Sequence, residues 1–232
     1  MPANEPFGGI MPVLTRHVIL AGAMSCICVP VLADMIDESG MAPWEVCGLC
    51  HGLDGVSAMP KFPKLAGQNA AYISEQIHNF RTGLRANDGG QMEAIIGEID
   101  PADIDAIATY FANLPLPKAT SQQNDSGARS DPPAVGEHLF AYGKSGVQAC
   151  ADCHTNPSGK TPILFAQHEA YLVKQLADFA SGERTIDPSR FSSASGACFR
   201  AASRLQRAEI TALASFLANS TAPLIGPSAG DQ

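Results

Sequence analysis

Side chains of like character recur at helical spacing in two matched pairs of stretches along this chain. Between about Asn69 and Thr82, the residues Tyr72, Ile73, Gln76 and Phe80 fall on one helical face, and Glu169 to Ser181 carries the same pattern. A later stretch begins near Pro101, tolerated in a first helical turn, and stripes Ile104, Ile107, Ala108 and Phe111. Its counterpart, about Gln206 to Asn219, stripes Ile210, Leu213, Ala214 and Leu217. No segment alternates with the period of a strand, so the chain is expected to be all-α.

The correspondence between the stretches is an internal repeat. Pro63, Leu65, Gln68, Tyr72, Gln76, Phe80, Gly83, Arg85 and Asp88 recur as Pro162, Leu164, Gln167, Tyr171, Gln175, Phe179, Gly182, Arg184 and Asp187, all at an offset of 99. Residues 117–134, rich in Ser, Asp, Gln and Pro with no apolar period, read as a linker. The expected organisation is a first domain over 34–116, that linker, a second domain over 135–221, and a tail over 222–232.

Each half carries one five-residue motif: Cys47-Gly48-Leu49-Cys50-His51 and Cys150-Ala151-Asp152-Cys153-His154. C-x-x-C-H is the attachment sequence of c-type haem. Its two thiols sit on one short turn, where both can add to the haem vinyl groups, and the following His ligates the iron. A four-thiolate zinc site does not require a His after each pair. A C-x-x-C redox motif belongs beside a βαβ pattern, which is absent from this sequence. Two covalent haems c are therefore expected, at Cys47/Cys50 and Cys150/Cys153, with His51 and His154 as axial ligands.

Composition agrees. Hydrophobic residues make up 45% of the 232, but aromatics only 6%, so covalent haem would supply missing apolar bulk. Arg16 and His17 precede the apolar run Val18 to Leu32, and Val31-Leu32-Ala33 fits a small-x-small cleavage site. Residues 1–33 thus read as a secretory signal, with translation from Met1 or Met11, and the expected location is the periplasm. An uncleaved anchor is the runner-up, but the run is short for a spanning helix. Ala23-Met24-Ser25-Cys26 is a poor lipidation site, and membrane association is not required. No nucleic-acid partner is expected. Charge divides unevenly: residues 34–116 carry four Lys/Arg and twelve Asp/Glu, net −8, whereas 135–221 carry eight and seven, net +1. Such asymmetry can orient docking, or simply reflect drift between duplicated domains.

With both motifs, the Phe62-Pro63-Lys64-Leu65-Ala66-Gly67-Gln68 segment and the Tyr72…Gln76…Phe80-Arg81-x-Gly83 helix in view, the chain resembles cytochrome c4-type dihaem proteins of the class I cytochrome c family. The haem subunit of flavocytochrome c sulfide dehydrogenase shares this plan. The resemblance implies two class I domains packed as a pseudo-twofold pair. It also implies that the Pro63 and Pro162 carbonyls hold the outer nitrogens of His51 and His154, and that Met92, in a loop between two helices, is the sixth ligand of the first haem. Met59 reads as packing, and His78 as a surface residue or a haem-propionate neighbour rather than a ligand.

Half two has no Met. The offset of 99 puts Phe191 at the Met92 position, whereas the last helices align at 106 (Ile104 with Ile210, Ala108 with Ala214) and put Cys198 there. The intervening loop is thus seven residues longer, and Cys198 is the one cysteine of the mature chain outside the motifs. A thiolate can ligate haem iron, and Arg190, Arg200, Arg204 and Arg207 could stabilise negative charge nearby. Cys198 could instead be a buried apolar residue, a free thiol or an intermolecular disulfide. Haem 2 would then be five-coordinate or ligated by another group such as His168 or Lys160. The expected function is periplasmic electron transfer, from a sulfur-compound (sulfide) dehydrogenase flavoprotein to a downstream cytochrome or oxidase. The rival is a His/Cys-haem enzyme acting on thiosulfate-like anions; the chain reads more as an electron-transfer protein than as a self-contained enzyme.

Overall fold

Helix α1 (Pro43–His51) starts where Pro43 presets the first turn and the Glu45 carboxylate accepts the Ala42 N–H at 2.7 Å. The computed structural model describes residues 40–119, 134–155, 159–185 and 194–221, with backbone alone at 194, 195, 197 and 198. The secretory segment 1–33, most of the linker and the tail lie outside the described residues. After α1 come α2 (Ala70–Arg81), α3 (Gln91–Glu98) and a 3₁₀ turn (Pro101–Asp103) that runs into α4 (Ile104–Ala112). Half two comprises α5 (Ala134–Tyr142), α6 (Ala151–His154), α7 (Glu169–Ser181), α8 (Ala194–Ala202) and α9 (Arg207–Asn219). The fold is all-α: among the described residues the only β-type pairing is an isolated Lys144–Val147 bridge.

Each half builds its own core. In half one, α4 packs against α1 and α2, and α3 against α2, around Val46, Ile73, Ile77, Ile96, Ile107 and the fully buried Phe111. In half two, α9 packs against α5 and α7 around Phe140, Phe165, Leu172, Leu213 and Leu217. The buried positions of α4 and α9 hold the 106 register: Ile104 with Ile210, Ile107 with Leu213, Ala108 with Ala214 and Phe111 with Leu217. Helix α5 approaches α9 so closely that a Cβ on Gly136 would lie 2.1 Å from the Ala212 carbonyl oxygen. In half one the corresponding contact of α1 with α4 is a ring stack, Trp44 on Tyr110 with centroids 4.9 Å apart.

Helices α3, α5 and α8 are additions to the pattern read from the sequence. All are short, eight or nine residues. Met92 accordingly lies in the first turn of α3 rather than in a loop. Asp88 makes that helix: its carboxylate accepts the N–H of Gly90 at 3.1 Å and of Met92 at 2.6 Å, while Gly90 takes the left-handed conformation.

The junction between the halves is polar and pseudo-twofold. Arg85 donates to Tyr171 and Gln175 across the junction, both at 3.1 Å, and to Gln76 of its own half at 2.8 Å. Arg184 does the same in reverse, to Tyr72 and Gln76 at 3.1 Å and to its own Gln175 at 2.7 Å. Each guanidinium also lies 4.5 Å over a ring of its own half, Phe80 or Phe179. The residues that repeat at an offset of 99 are therefore largely the residues of this junction.

Candidate haem sites

Cys47 and Cys50 lie one turn apart on α1, and His51 is its last residue, buried beneath the helix end. Gly52, at φ +79°, stops the helix and turns the chain. The chain returns at Pro63, whose carbonyl accepts a hydrogen bond from His51 Nδ1–H at 2.8 Å, with the Phe62 ring tilted beside the imidazole at 5.9 Å. Half two builds the same unit on a shorter support. Cys150 precedes the four-residue α6, Cys153 and His154 end it, and His154 Nδ1–H donates to the Pro162 carbonyl at 2.9 Å.

Because each carbonyl can only accept, Nδ1 carries the proton and Nε2 presents its lone pair. Burial lowers the pKa of both rings below the ordinary histidine value. The proline carbonyls oppose that shift, and at His51 the positive charge of Arg85 adds to it. Both imidazoles are thus neutral near pH 7, the form that binds a metal. Burial, then Cys153 and Asp152, push the Cys150 thiol up to about 11. Paired thiols on one turn beside a neutral imidazole oriented through its Nδ1–H fit a covalently attached haem in each half. Around the first motif Leu49, Leu53, Val56 and Met59 present apolar side chains at the protein surface.

Met92 is half-buried and packs against the half-one core. Cys198 falls on α8, with its side chain outside the described residues. Buried positions keep the 106 register back into α8, where Ile96 corresponds to the buried Ala202. In that register α8 starts three residues earlier than α3: Met92 is the second residue of α3 and Cys198 the fifth of α8. Two alternative ligands are engaged elsewhere. His168 Nε2 lies 2.9 Å from Ser57 Oγ and 3.0 Å from Ser57 O, across the junction, and Lys160 pairs with Glu75 at 3.2 Å. Of the four arginines noted near Cys198, Arg204 donates to the Gly146 carbonyl at 2.6 Å, and Arg190 lies outside the described residues. His78 is exposed.

Sequence reasoning missed Gln68, Gln167, Arg85 and Arg184 as functional residues. Their signal was available: polar side chains kept at identical spacing in both copies, where a repeat held together by its core alone would keep only apolar ones.

The comparisons agree with this geometry. A family model described as Cytochrome C oxidase, cbb3-type, subunit III matches residues 41–111. Cytochrome c4 of Pseudomonas aeruginosa is 40% identical over 159 residues, covering 64% of this chain and 73% of that protein. A thiosulfate dehydrogenase electron acceptor of Thiomonas intermedia is 30% identical over 179 residues, 74% of this chain and 77% of that protein. The crystal structure of reduced recombinant cytochrome c4 from Pseudomonas stutzeri superposes with a TM-score of 0.61 at 31% identity, covering 75% of this chain and 93% of that one. Repeat, paired motifs, fold and relatives converge: the chain belongs to the cytochrome c4 family, the dihaem class I c-type cytochromes that transfer electrons.

Proposed function

We propose that this protein is a periplasmic electron carrier that accepts electrons from a sulfur-compound dehydrogenase and passes them to a downstream cytochrome or oxidase. The secretory pattern of residues 1–33 supports the location, and no described helix is long and apolar enough to cross a membrane. The likeness to a protein named as the electron acceptor of thiosulfate dehydrogenase favours an enzyme oxidising a sulfur anion as donor. A flavoprotein sulfide dehydrogenase is the alternative of the same class. That relative is named an acceptor, which favours the carrier reading over a His/Cys-haem enzyme turning over thiosulfate itself.

The observation that carries this reading is the repeated His–proline carbonyl unit, present once per half with the same donor and acceptor. In this reading Cys47 and Cys50 anchor one haem and Cys150 and Cys153 the other, with His51 and His154 as proximal ligands. Each bound haem supplies a one-electron iron couple. Met92, its backbone fixed by Asp88, offers a neutral thioether that favours reduced iron; Cys198 offers a thiolate that favours oxidised iron. The half-two site is then the lower-potential one, which orders entry at half two and exit at half one.

Two measurements test the proposal. Intact mass of the exported protein should show two covalent haems, and one or none ends the reading. Mixing the oxidised protein with thiosulfate dehydrogenase or sulfide dehydrogenase plus substrate should reduce it rapidly. Turnover of thiosulfate by the isolated protein with an artificial acceptor would instead favour the enzyme.

A further inference from the structure

Each proximal histidine is connected to a side chain of the opposite half through a single peptide group. The Pro63 carbonyl that accepts His51 Nδ1–H belongs to the same peptide as the Lys64 N–H. That N–H donates to Gln167 Oε1 at 2.9 Å, and Gln167 Nε2 returns a bond to the Lys64 carbonyl at 3.0 Å. The mirror arrangement holds in half two. There the Pro162 carbonyl accepts from His154, and the Ile163 N–H of that same peptide donates to Gln68 Oε1 at 2.8 Å; Gln68 Nε2 donates to the Ile163 carbonyl at 2.9 Å. Both glutamines are buried, and each Oε1 is held further by the next backbone N–H of its own chain segment, Asn69 or His168, at 2.9 Å.

We propose that Gln167 and Gln68 are positioning residues, each setting the donor strength of the proximal histidine in the half to which it does not belong. The inference rests on the reading of His51 and His154 as haem ligands. A peptide whose N–H donates to a good acceptor has a more negative carbonyl oxygen, because hydrogen bonds in a chain polarise one another in a low-dielectric interior. That oxygen draws the Nδ1 proton more strongly and leaves the ring a better donor at Nε2. A more basic axial imidazole stabilises oxidised iron and lowers the potential. Docking of the two halves therefore tunes both sites at once, and each site reads whether its partner half is in place.

The test uses the full-length, haem-loaded protein with Gln167→Met and Gln68→Met made singly. Methionine keeps the approximate volume and removes both hydrogen bonds to the opposite half, together with the one from the next backbone N–H of its own segment. The two potentials are followed by redox titration with NMR assignment of each haem to its half. Gln167→Met should raise the half-one potential by about threefold in the one-electron equilibrium, roughly 30 mV at 59 mV per tenfold. The half-two potential should stay within a third of that shift. Gln68→Met should do the converse. In the reduced protein the proximal Nδ1–H resonance should move upfield in the crossed half alone, reporting a weaker bond to the proline carbonyl. Gln167→Glu retains an acceptor for Lys64 N–H in either protonation state and should not raise the half-one potential. Shifts in the variant's own half, equal shifts in both halves, no shift at all, or a rise with Gln167→Glu matching that of Gln167→Met would each overturn the relay. Failure of the underlying reading looks different: His51→Ala would keep the low-spin spectrum of both haems.

Discussion

Half one presents its haem motif on a nine-residue helix that runs unbroken from Pro43 to His51, locked by the Trp44–Tyr110 stack. Half two breaks the same course: α5 ends at Tyr142, and a separate four-residue turn carries Cys153 and His154. Yet the imidazole bonds at the two sites agree to 0.1 Å, 2.8 Å at His51 and 2.9 Å at His154. The support has diverged while the return segment from Pro63 or Pro162 has not. The carbonyl side of the ring is therefore the more constrained side, and the helix that delivers the thiols is the more replaceable one. In the proposed sites the sixth position differs most, with Met92 offered in one half and Cys198 in the other.

The sharpest way to break that last contrast is to exchange the two residues. Cys198→Met should raise the lower potential by more than tenfold in equilibrium, above about 59 mV, and bring the two sites together. Met92→Ala should lower the higher potential and abolish the near-infrared sulfur-to-iron band. If Cys198→Ala leaves both potentials and the low-spin EPR signals unchanged, the contrast lies elsewhere than in this cysteine.

A second prediction sharpens the symmetry of the junction. Arg85→Met removes a buried guanidinium, leaves the Tyr171 hydroxyl without its donor and takes from Gln76 and Gln175 one of the two arginines they share, at a cost of about 3 kcal/mol in unfolding free energy. Arg184→Met should cost nearly as much, because its partners are the same set seen from the other half. Denaturant titration of both haem-loaded variants reads this, and a cost for one arginine alone would break the twofold description.

The junction is less symmetric at His168, which occupies the place of Asn69. Burial and the nearby Lys64 charge lower its pKa, and the bond to Ser57 only partly opposes them. The unfolded chain therefore takes up a proton before the folded one does. Stability is full above the ordinary histidine value, near 6.5, and is lost as pH falls below it. His168 is half exposed, so the loss is modest, under about 1 kcal/mol. His168→Asn, which installs the residue of half one, should flatten the midpoint temperature of the haem-loaded protein between pH 7 and 5. An unchanged slope would assign the pH dependence to other groups.

The smallest effect concerns Gly67 and its repeat mate Ala166, both left-handed, at φ +66° and +55°. Ala166→Gly should stabilise by about 0.5 kcal/mol, the relief of side-chain strain less the added freedom of the unfolded chain. Gly67→Ala should destabilise by about 2 kcal/mol, since its Cβ would also meet Leu116 Cδ2 at 2.7 Å. Thermal unfolding of the pair measures both signs.

Much of this was legible beforehand. The helical class, the repeat and the paired motifs stood in residue type and spacing, because apolar period and covalent chemistry leave strong local marks. The short helices α3, α5 and α8 did not. Helix α3 depends on one side chain, Asp88, folding back on the Gly90 and Met92 amides, and a turn-rich Asp-Gly-Gly run gives no sign of that. Tyr72 and Gln76 were visible as one stripe of a helix. What faces that stripe was not, since the partner lies about 110 residues away, at Arg184. His168 had the chemistry of a ligand, and only the fold shows its Nε2 committed to Ser57.

The reciprocal bonds of the junction have a consequence for ancestry. Every element of one face, a glutamine reaching for a backbone peptide and an arginine reaching for a tyrosine and a glutamine, is present in the same half as the peptide, tyrosine and glutamine that receive it. A single half thus carries both sides of an isologous contact, the kind that pairs identical subunits about a twofold axis. Gene duplication would have needed no new surface, only a tether. The tether replaces encounter between two molecules by a fixed effective concentration, so the paired state no longer depends on how much protein the cell makes.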